Sequence, residues 1–231
     1  MSLAIIIPVY NEEKNINKLI RNWRRQVSKN YNKPYKFIII NDGSTDGTSK
    51  VLNKFKKNKK FKIINKKNEG HGLTCLLGYK KAILGKFNFI LQIDSDNQCD
   101  PIYLKKFILQ SKKNDIVFGY RTKREDGYLR LIFSRLLSGI IFIRSGVYLK
   151  DPNVPYRLIK TQIMKKVIYK IPKNIILTNC YLTYLLEKNF RIKWIEINFR
   201  KRLFGETKYN FISMLKLVSN LVLSFKIWKI L

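Results

Sequence analysis

Short apolar runs alternate with amphipathic stretches along the first half of the chain. Residues 3–9 (LAIIIPV), 36–41 (KFIIIN), 61–65 (FKIIN), 87–94 (FNFILQID) and 115–119 (DIVFG) predict strands. Helical spacing predicts helices at about 12–27, 45–58, 71–85 and 101–113. Thr45, or Ser44 before it, suits the cap of the second helix, and Pro101 suits the first turn of the fourth. This alternation predicts an α/β domain, a Rossmann-like, mainly parallel sheet flanked by helices. In such sheets ligands bind beyond the C-terminal ends of the strands.

Past residue 120 the pattern loosens. Residues 128–143 (YLRLIFSRLLSGIIFI) predict an apolar helix interrupted by Arg130 and Arg135. Its uninterrupted apolar run is far below the roughly 20 residues that a membrane span needs. Residues 191–199 (RIKWIEINF) alternate as a strand, and 209–231 predict a helical tail. With no internal repeat or low-complexity linker, the expected organisation is one domain over 1–208 and an amphipathic C-terminal helix over 209–231. A chain of 231 residues is long enough for one such domain with a proper core.

Charge changes the picture. The chain has 47 Lys and Arg against 15 Asp and Glu, a formal net charge of +32. A surface this basic attracts anions: nucleic acid, acidic lipid and phosphorylated substrates. The excess of Lys, Asn and Ile also fits a compositional bias of the source, which lowers the weight of the charge as a functional signal. The basic run 54–67 (KFKKNKKFKIINKK) reads first as a solvated face. Cys75, Cys99 and Cys180 show neither disulfide nor zinc spacing, which points to a reducing compartment. The apolar start has no basic segment before it and reads as a first strand rather than a secretory signal. The expected location is cytoplasmic, peripheral on the membrane face.

Against that background the carboxylates at strand ends stand out. In FILQIDSDNQCDP (89–101) an apolar strand runs into Asp94 and Asp96, with Gln98 at the next alternate position. In an extended chain these side chains share one side. Buried unpaired carboxylates are costly, and hard oxygen ligands suit Mg²⁺ or Mn²⁺ bridged to a diphosphate. NDGSTDGT (41–48) brings Asp42 to the same edge, as PVYNEEKN (8–15) brings Tyr10 and Glu12. The first strand is followed by no glycine, which excludes a dinucleotide-binding G-x-G-x-x-G turn.

Six segments occur in an order that resembles family 2 glycosyltransferases of the GT-A fold. They are IIIPVYNEEKNI, IIINDGSTDGT, NEGHGLTCLLGYKKA, DSDNQCDP, VFGYR and RLFGETK. Within that family the chain is most similar to polyprenyl-phosphate sugar transferases of the dolichyl-phosphate mannosyltransferase type. The resemblance implies that Pro8, Tyr10, Glu12 and Asp42 hold the nucleotide base and ribose. It implies that Asn68, Gly70 and Gly72 lie near the nucleotide, small where a backbone approaches it. Asp94, Asp96 and Gln98 match a metal-binding D-x-D-x-Q, with Asp96 at the reacting centre. Arg121 in G-x-R, and Arg202 and Lys208 in R-x-x-G-x-T-K, match groups that handle phosphate. His71 matches no catalytic position, and a hydrogen bond at a helix start is its expected role. Asp151 and Arg157 in DPNVPYRL match a further family segment.

One departure bears on the acceptor. Relatives that glycosylate a hydroxyl carry a carboxylate base, and ILTNCYLTYLLEKN (176–189) offers Asn179 at the comparable position. A phosphate monoester, with a second pKa of about 6, needs no base to attack. The expected reaction is therefore an inverting transfer from a GDP- or UDP-linked sugar to a polyprenyl phosphate. The alternative is transfer to a glycan hydroxyl; a basic nucleic-acid-binding protein is a reading from a different class. None of the usual nucleic-acid modules is present, and no nucleic-acid partner is expected. A transferase reduced to binding alone is disfavoured by the intact D-x-D and both arginine motifs. In the tail, Phe211, Met214, Leu215, Val218, Leu221, Val222, Phe225 and Trp228 form one stripe. It fits a membrane interface, or packing on its own domain or a partner subunit.

Overall fold

The computed structural model describes residues 1–125, 128–172, 175 and 177–200. The expected tail at 209–231, with Arg202 and Lys208, lies outside them.

Four βα units build the first half. Strand β1 (Leu3–Val9) is buried along its whole length, between β2 (Tyr35–Asp42) and β4 (Phe89–Gln92), both parallel to it. Covered on both faces, it is a continuous apolar run rather than an alternating one. Strand β3 (Phe61–Lys66) continues the sheet beyond β2. Helix α1 (Glu13–Asn30) buries Ile16, Leu19, Ile20, Trp23 and Val27, a single stripe at helical spacing. Helix α2 (Thr48–Asn53) packs beside α1, and α3 (His71–Leu84) packs on β1 and β2.

The second half contains an element with no sequence signal. A 3₁₀ turn (Pro101–Tyr103) leads into α4 (Leu104–Gln110), then β5 (Ile116–Arg124) and α5 (Tyr128–Ser145). Strand β6 (Arg157–Lys160) then inserts antiparallel between β4 and β5. Helices α6 (Thr161–Val167) and α7 (Thr178–Asn189) follow, and β7 (Lys193–Phe199) lies parallel to β5 at the sheet edge. The order is β3-β2-β1-β4-β6-β5-β7. Every strand but β6 points the same way, so the sheet is mainly parallel, as expected.

Three local expectations are corrected. Helix α2 starts at Thr48 and carries no side-chain cap. Thr45 and Ser44 instead bond across to Asn11 at the entry to α1. The second helix also ends at Asn53, and the lysine-rich residues after it form turns. Strand β4 ends at Gln92, and Asn97 takes a positive φ of 63°, so Asp94, Asp96 and Gln98 do not lie in extended alternation. Pro101 does open the fourth helical segment, with Asp100 accepting from the Ile102 amide at 3.0 Å.

Candidate active site

Parallel strands aim their C-terminal ends at one edge, and the polar residues gather there. At the end of β1, Pro8 is buried within the strand opposite Ile40, and Tyr10 is half-buried. Glu12 is buried; its backbone nitrogen donates to Thr48 Oγ1 at 2.9 Å and its Oε2 accepts from Asn15 Nδ2 at 2.6 Å. At the end of β2, Asp42 is a buried hub. Its Oδ1 accepts from Lys66 Nζ at 2.5 Å and the Glu69 amide at 3.0 Å, and its Oδ2 accepts from the Gly70 amide at 2.9 Å. Burial works against this carboxylate, but Lys66 and the amide donors outweigh it and lower its pKa. The paired Lys66 is raised against burial by Asp42 and Glu69. Asp42 therefore fixes the loop that carries Asn68 and Gly70.

That loop opens α3 and meets α7. Asn68 is exposed, and Gly70 has φ 92°, a conformation that glycine adopts without strain. Gly72 makes room for packing. A Cβ there would lie 2.2 Å from Thr178 Oγ1, so the missing side chain seats the start of α7. This packing brings Asn179 to His71, with Asn179 Nδ2 3.3 Å from His71 Nε2. His71 Nε2 also lies 3.5 Å from Cys75 Sγ and 3.6 Å from Asp94 Oδ1. His71 thus links three elements through its side chain, which corrects the expected helix-start role. Burial opposes a charged ring, but Cys75 and Asp94 outweigh it and raise the pKa. Its side chain is 45% exposed, so solvent screens part of this effect.

The loop after β4 holds the carboxylate pair. Asp94 Oδ1 is buried with no hydrogen-bond partner. Asp96 Oδ1 accepts from the Gln98 amide at 3.1 Å. Gln98 is buried, and its Nε2 donates to the Arg200 carbonyl at 2.8 Å, stitching the loop to the end of β7. Arg200 in turn ion-pairs with Asp100. Among the described residues no three His, Cys, Asp or Glu side chains form a metal cluster. A buried, unbonded carboxylate oxygen beside a second carboxylate nevertheless fits a divalent cation that takes its other ligands from phosphate and water.

Arg121, on β5, is paired rather than presented to solvent. Its Nε and one terminal nitrogen donate to the two oxygens of Asp151 at 2.7 and 2.6 Å, and its guanidinium lies 5.0 Å from the Phe199 ring centre. Arg157, which opens β6, is fully buried. It donates to the carbonyls of Val154, Pro152 and Asn179 at 2.6–3.1 Å and lies against Phe118. The start of α7 is therefore held by Arg157 from one side and by Gly72 from the other.

The structure thus gathers Tyr10, Glu12, Asp42, Gly70, Gly72, Asp94, Asp96, Gln98 and Arg121 around the C-terminal edge. Reading the sequence missed the contact of His71 with Asp94 and Asn179. The local cue was a lone histidine at a strand-to-helix glycine turn; its partner lies 108 residues away.

Comparison with known proteins places this architecture. Residues 4–177 match the sequence profile of glycosyl transferase family 2. An uncharacterised protein of Methanocaldococcus jannaschii is 31% identical over 176 residues, covering 71% of this chain and 73% of that protein. The undecaprenyl-phosphate 4-deoxy-4-formamido-L-arabinose transferase of Proteus mirabilis is 23% identical over 227 residues, covering 95% of this chain and 66% of the transferase. Among solved structures, the glucosyl-3-phosphoglycerate synthase of Mycobacterium tuberculosis, crystallised with Mn²⁺, UDP and glucosyl-3-phosphoglycerate, superposes with a TM-score of 0.70. It is 13% identical over 97% of this chain and 80% of its own. Residues 1–349 of TarS from S. aureus superpose with a TM-score of 0.59, at 22% identity over 84% of this chain and 58% of that one. The GT-A fold and the match over most of the chain agree: the chain belongs to glycosyl transferase family 2 and is a glycosyltransferase.

Proposed function

We propose that the enzyme moves a sugar, with inversion, from a nucleotide-diphosphate sugar to a polyprenyl phosphate. The observation that carries this reading is the state of the acidic groups on the catalytic edge. Asp42 is bound to Lys66, Asp151 to Arg121 and Glu12 to Asn15. Asp94 and Asp96 are assigned to the proposed cation, and among the described residues the α7 position that meets His71, beside Asp94, carries the amide of Asn179 rather than a carboxylate. A hydroxyl acceptor needs a base, whereas an ionised phosphate does not. The Proteus mirabilis relative, an undecaprenyl-phosphate transferase, supports the same acceptor class.

Asp94 and Asp96 would hold a divalent cation, Mg²⁺ or Mn²⁺, which would neutralise the departing nucleoside diphosphate. The Mn²⁺ and UDP in the Mycobacterium tuberculosis structure support this assignment. In this reading Pro8, Tyr10, Glu12 and Asn68 line the base and ribose, and the Asp42 hub shapes the loop over them. Arg121 shapes the phosphate side through Asp151. Arg202 and Lys208 hold the acceptor phosphate; they follow Arg200, whose carbonyl is bonded to Gln98. The nucleotide is GDP or UDP, and the attachment to the membrane is peripheral, through the stripe of 209–231. Among the described residues no helix is long and apolar enough to cross a membrane.

A second reading rests on His71. An imidazole beside Asp94 could take a proton from a glycan hydroxyl. The proposed cation disfavours that role, because Asp94, 3.6 Å from the ring, would then serve the metal rather than orient His71 as a base. A radiolabelled transfer assay with polyprenyl phosphate and free glycans side by side separates the two. Label in the lipid phosphate, with Arg202→Ala raising the acceptor KM or cutting turnover, is expected. Label only in the glycan, lost in His71→Gln, overturns the proposal.

A further inference from the structure

Helix α5 presents an apolar face to solvent. Ile132, Leu136 and Ile143 recur at helical spacing and are 45%, 48% and 80% exposed. Gly139 lies on the same line, and a Cβ there would meet nothing within 4 Å. Phe142 and Tyr148 extend the patch, while Leu137 and Ile141 on the opposite side are buried. A surface helix ordinarily turns its polar side outward, so a second apolar stripe marks a contact surface. The other large exposed apolar side chains among the described residues (Met1, Leu84, Ile102, Leu109 and Tyr169) lie on other elements.

The chemistry around the stripe selects its occupant. Helix α5 contains Arg130, Arg135 and Arg144 and no Asp or Glu. Arg135 and Arg144 are exposed beside the stripe. Apolar side chains flanked by arginines match the boundary between acyl chains and anionic headgroups. A second copy of this chain would bring the same arginines together on a protein of net charge +32, which like-charge repulsion opposes.

The topology gives the contact a purpose. Helix α5 leaves the sheet after the C-terminal end of β5, and the chain rejoins it where Asp151 meets Arg121. It then enters β6 with Arg157 paired to Gln92, the last residue of β4 before the Asp94 loop. Both ends of the excursion are therefore rooted at the edge that carries Asp94 and Asp96. We infer that α5 is an anionic-lipid docking surface that lays the catalytic edge against the membrane through Ile132, Leu136 and Ile143.

This surface goes beyond the proposed reaction, and its test requires no turnover. The full-length protein is floated with vesicles of phosphatidylcholine alone or with phosphatidylglycerol added. Leu136→Asp/Ile143→Asp and, separately, Arg135→Gln are compared with wild type. Binding to anionic vesicles that weakens with added salt is expected, because screening shortens the reach of the arginines. The double variant should lose at least about tenfold in partition, since two aliphatic side chains no longer leave water. Arg135→Gln should lose about fivefold, the worth of one basic residue near an anionic surface. Thermal melting and Mn²⁺-dependent nucleotide binding should stay at wild-type values in both. Unchanged flotation of the double variant overturns the inference. So does wild-type self-association in light scattering that the double variant abolishes, which would make a second copy the occupant. Equal binding to neutral and anionic vesicles overturns the role given to the arginines.

Discussion

His71 Nε2 lies 3.3 Å from Asn179 Nδ2, and this contact joins the start of α3 to the start of α7 across the catalytic edge. It exists because Gly72 lets α7 approach. Gly72→Ala would drive a Cβ into Thr178, with 2.2 Å to its Oγ1. The expected result is a loss of about 1–3 kcal/mol of stability from overpacking. Urea unfolding measures it. A variant as stable as wild type would show that α7 moves aside freely.

The carboxylate pair makes a sharper demand. Asp96→Ala should abolish transfer and weaken nucleoside-diphosphate binding while leaving the melting temperature within a few degrees. EDTA added to the wild-type enzyme should have the same effect on turnover. Turnover that survives either treatment removes the cation from the reaction.

The Asp42 hub has a pH signature. Its folded pKa is below the unfolded value of about 3.9, so it stabilises the fold fully above that pH. The contribution is lost as pH falls through the lower folded value. Asp42→Asn should cost about 1.5–3 kcal/mol at pH 7, the range for a hydrogen bond to a charged group. The gap between wild type and variant should narrow steadily below about pH 4. A gap that stays constant to pH 2.5 would mean that the charge of Asp42 contributes nothing.

The Arg121–Asp151 pair should behave as a buried ion pair, with side chains 8% and 4% exposed. Asp151→Ala leaves the guanidinium buried without its counterion and should cost about 3–5 kcal/mol. Replacing both partners by apolar residues should recover much of that loss. A single variant that unfolds within 1 kcal/mol of wild type would place Arg121 in water.

What could be read from the sequence was what local pattern encodes. The strands β1 to β4 are short apolar runs with turn residues at their ends, and their boundaries fell within a few residues of the prediction. The carboxylates at those ends were legible because acid is rare in this chain. Strand β6 was not legible. It has four residues, and the first is Arg157, a charge that argues against burial until the three carbonyls that receive it are known. The start of α2 failed for a related reason. Thr45 is bonded to Asn11, a partner 34 residues away that no local rule names. Helix α7 is buried nearly all round, so it lacks the polar face that marks an amphipathic helix. Expected alternation after β4 gave the right carboxylates by the wrong geometry, since a left-handed Asn97 turns the chain there.

The antiparallel insertion of β6 has a consequence for how the chain is made. Strands β1 to β4 and their helices can assemble as synthesis proceeds, each new strand finding a neighbour already present. The outer edge of β4 then has no neighbour until residue 157 emerges, and β5 cannot join the sheet before it. Throughout that interval an open apolar strand edge is exposed, a template for mispairing with other chains. The Asp94 loop sits at this seam, directly after β4. Its run DSDNQ sets two carboxylates directly after that late-paired strand, at the place where charge opposes edge-to-edge association.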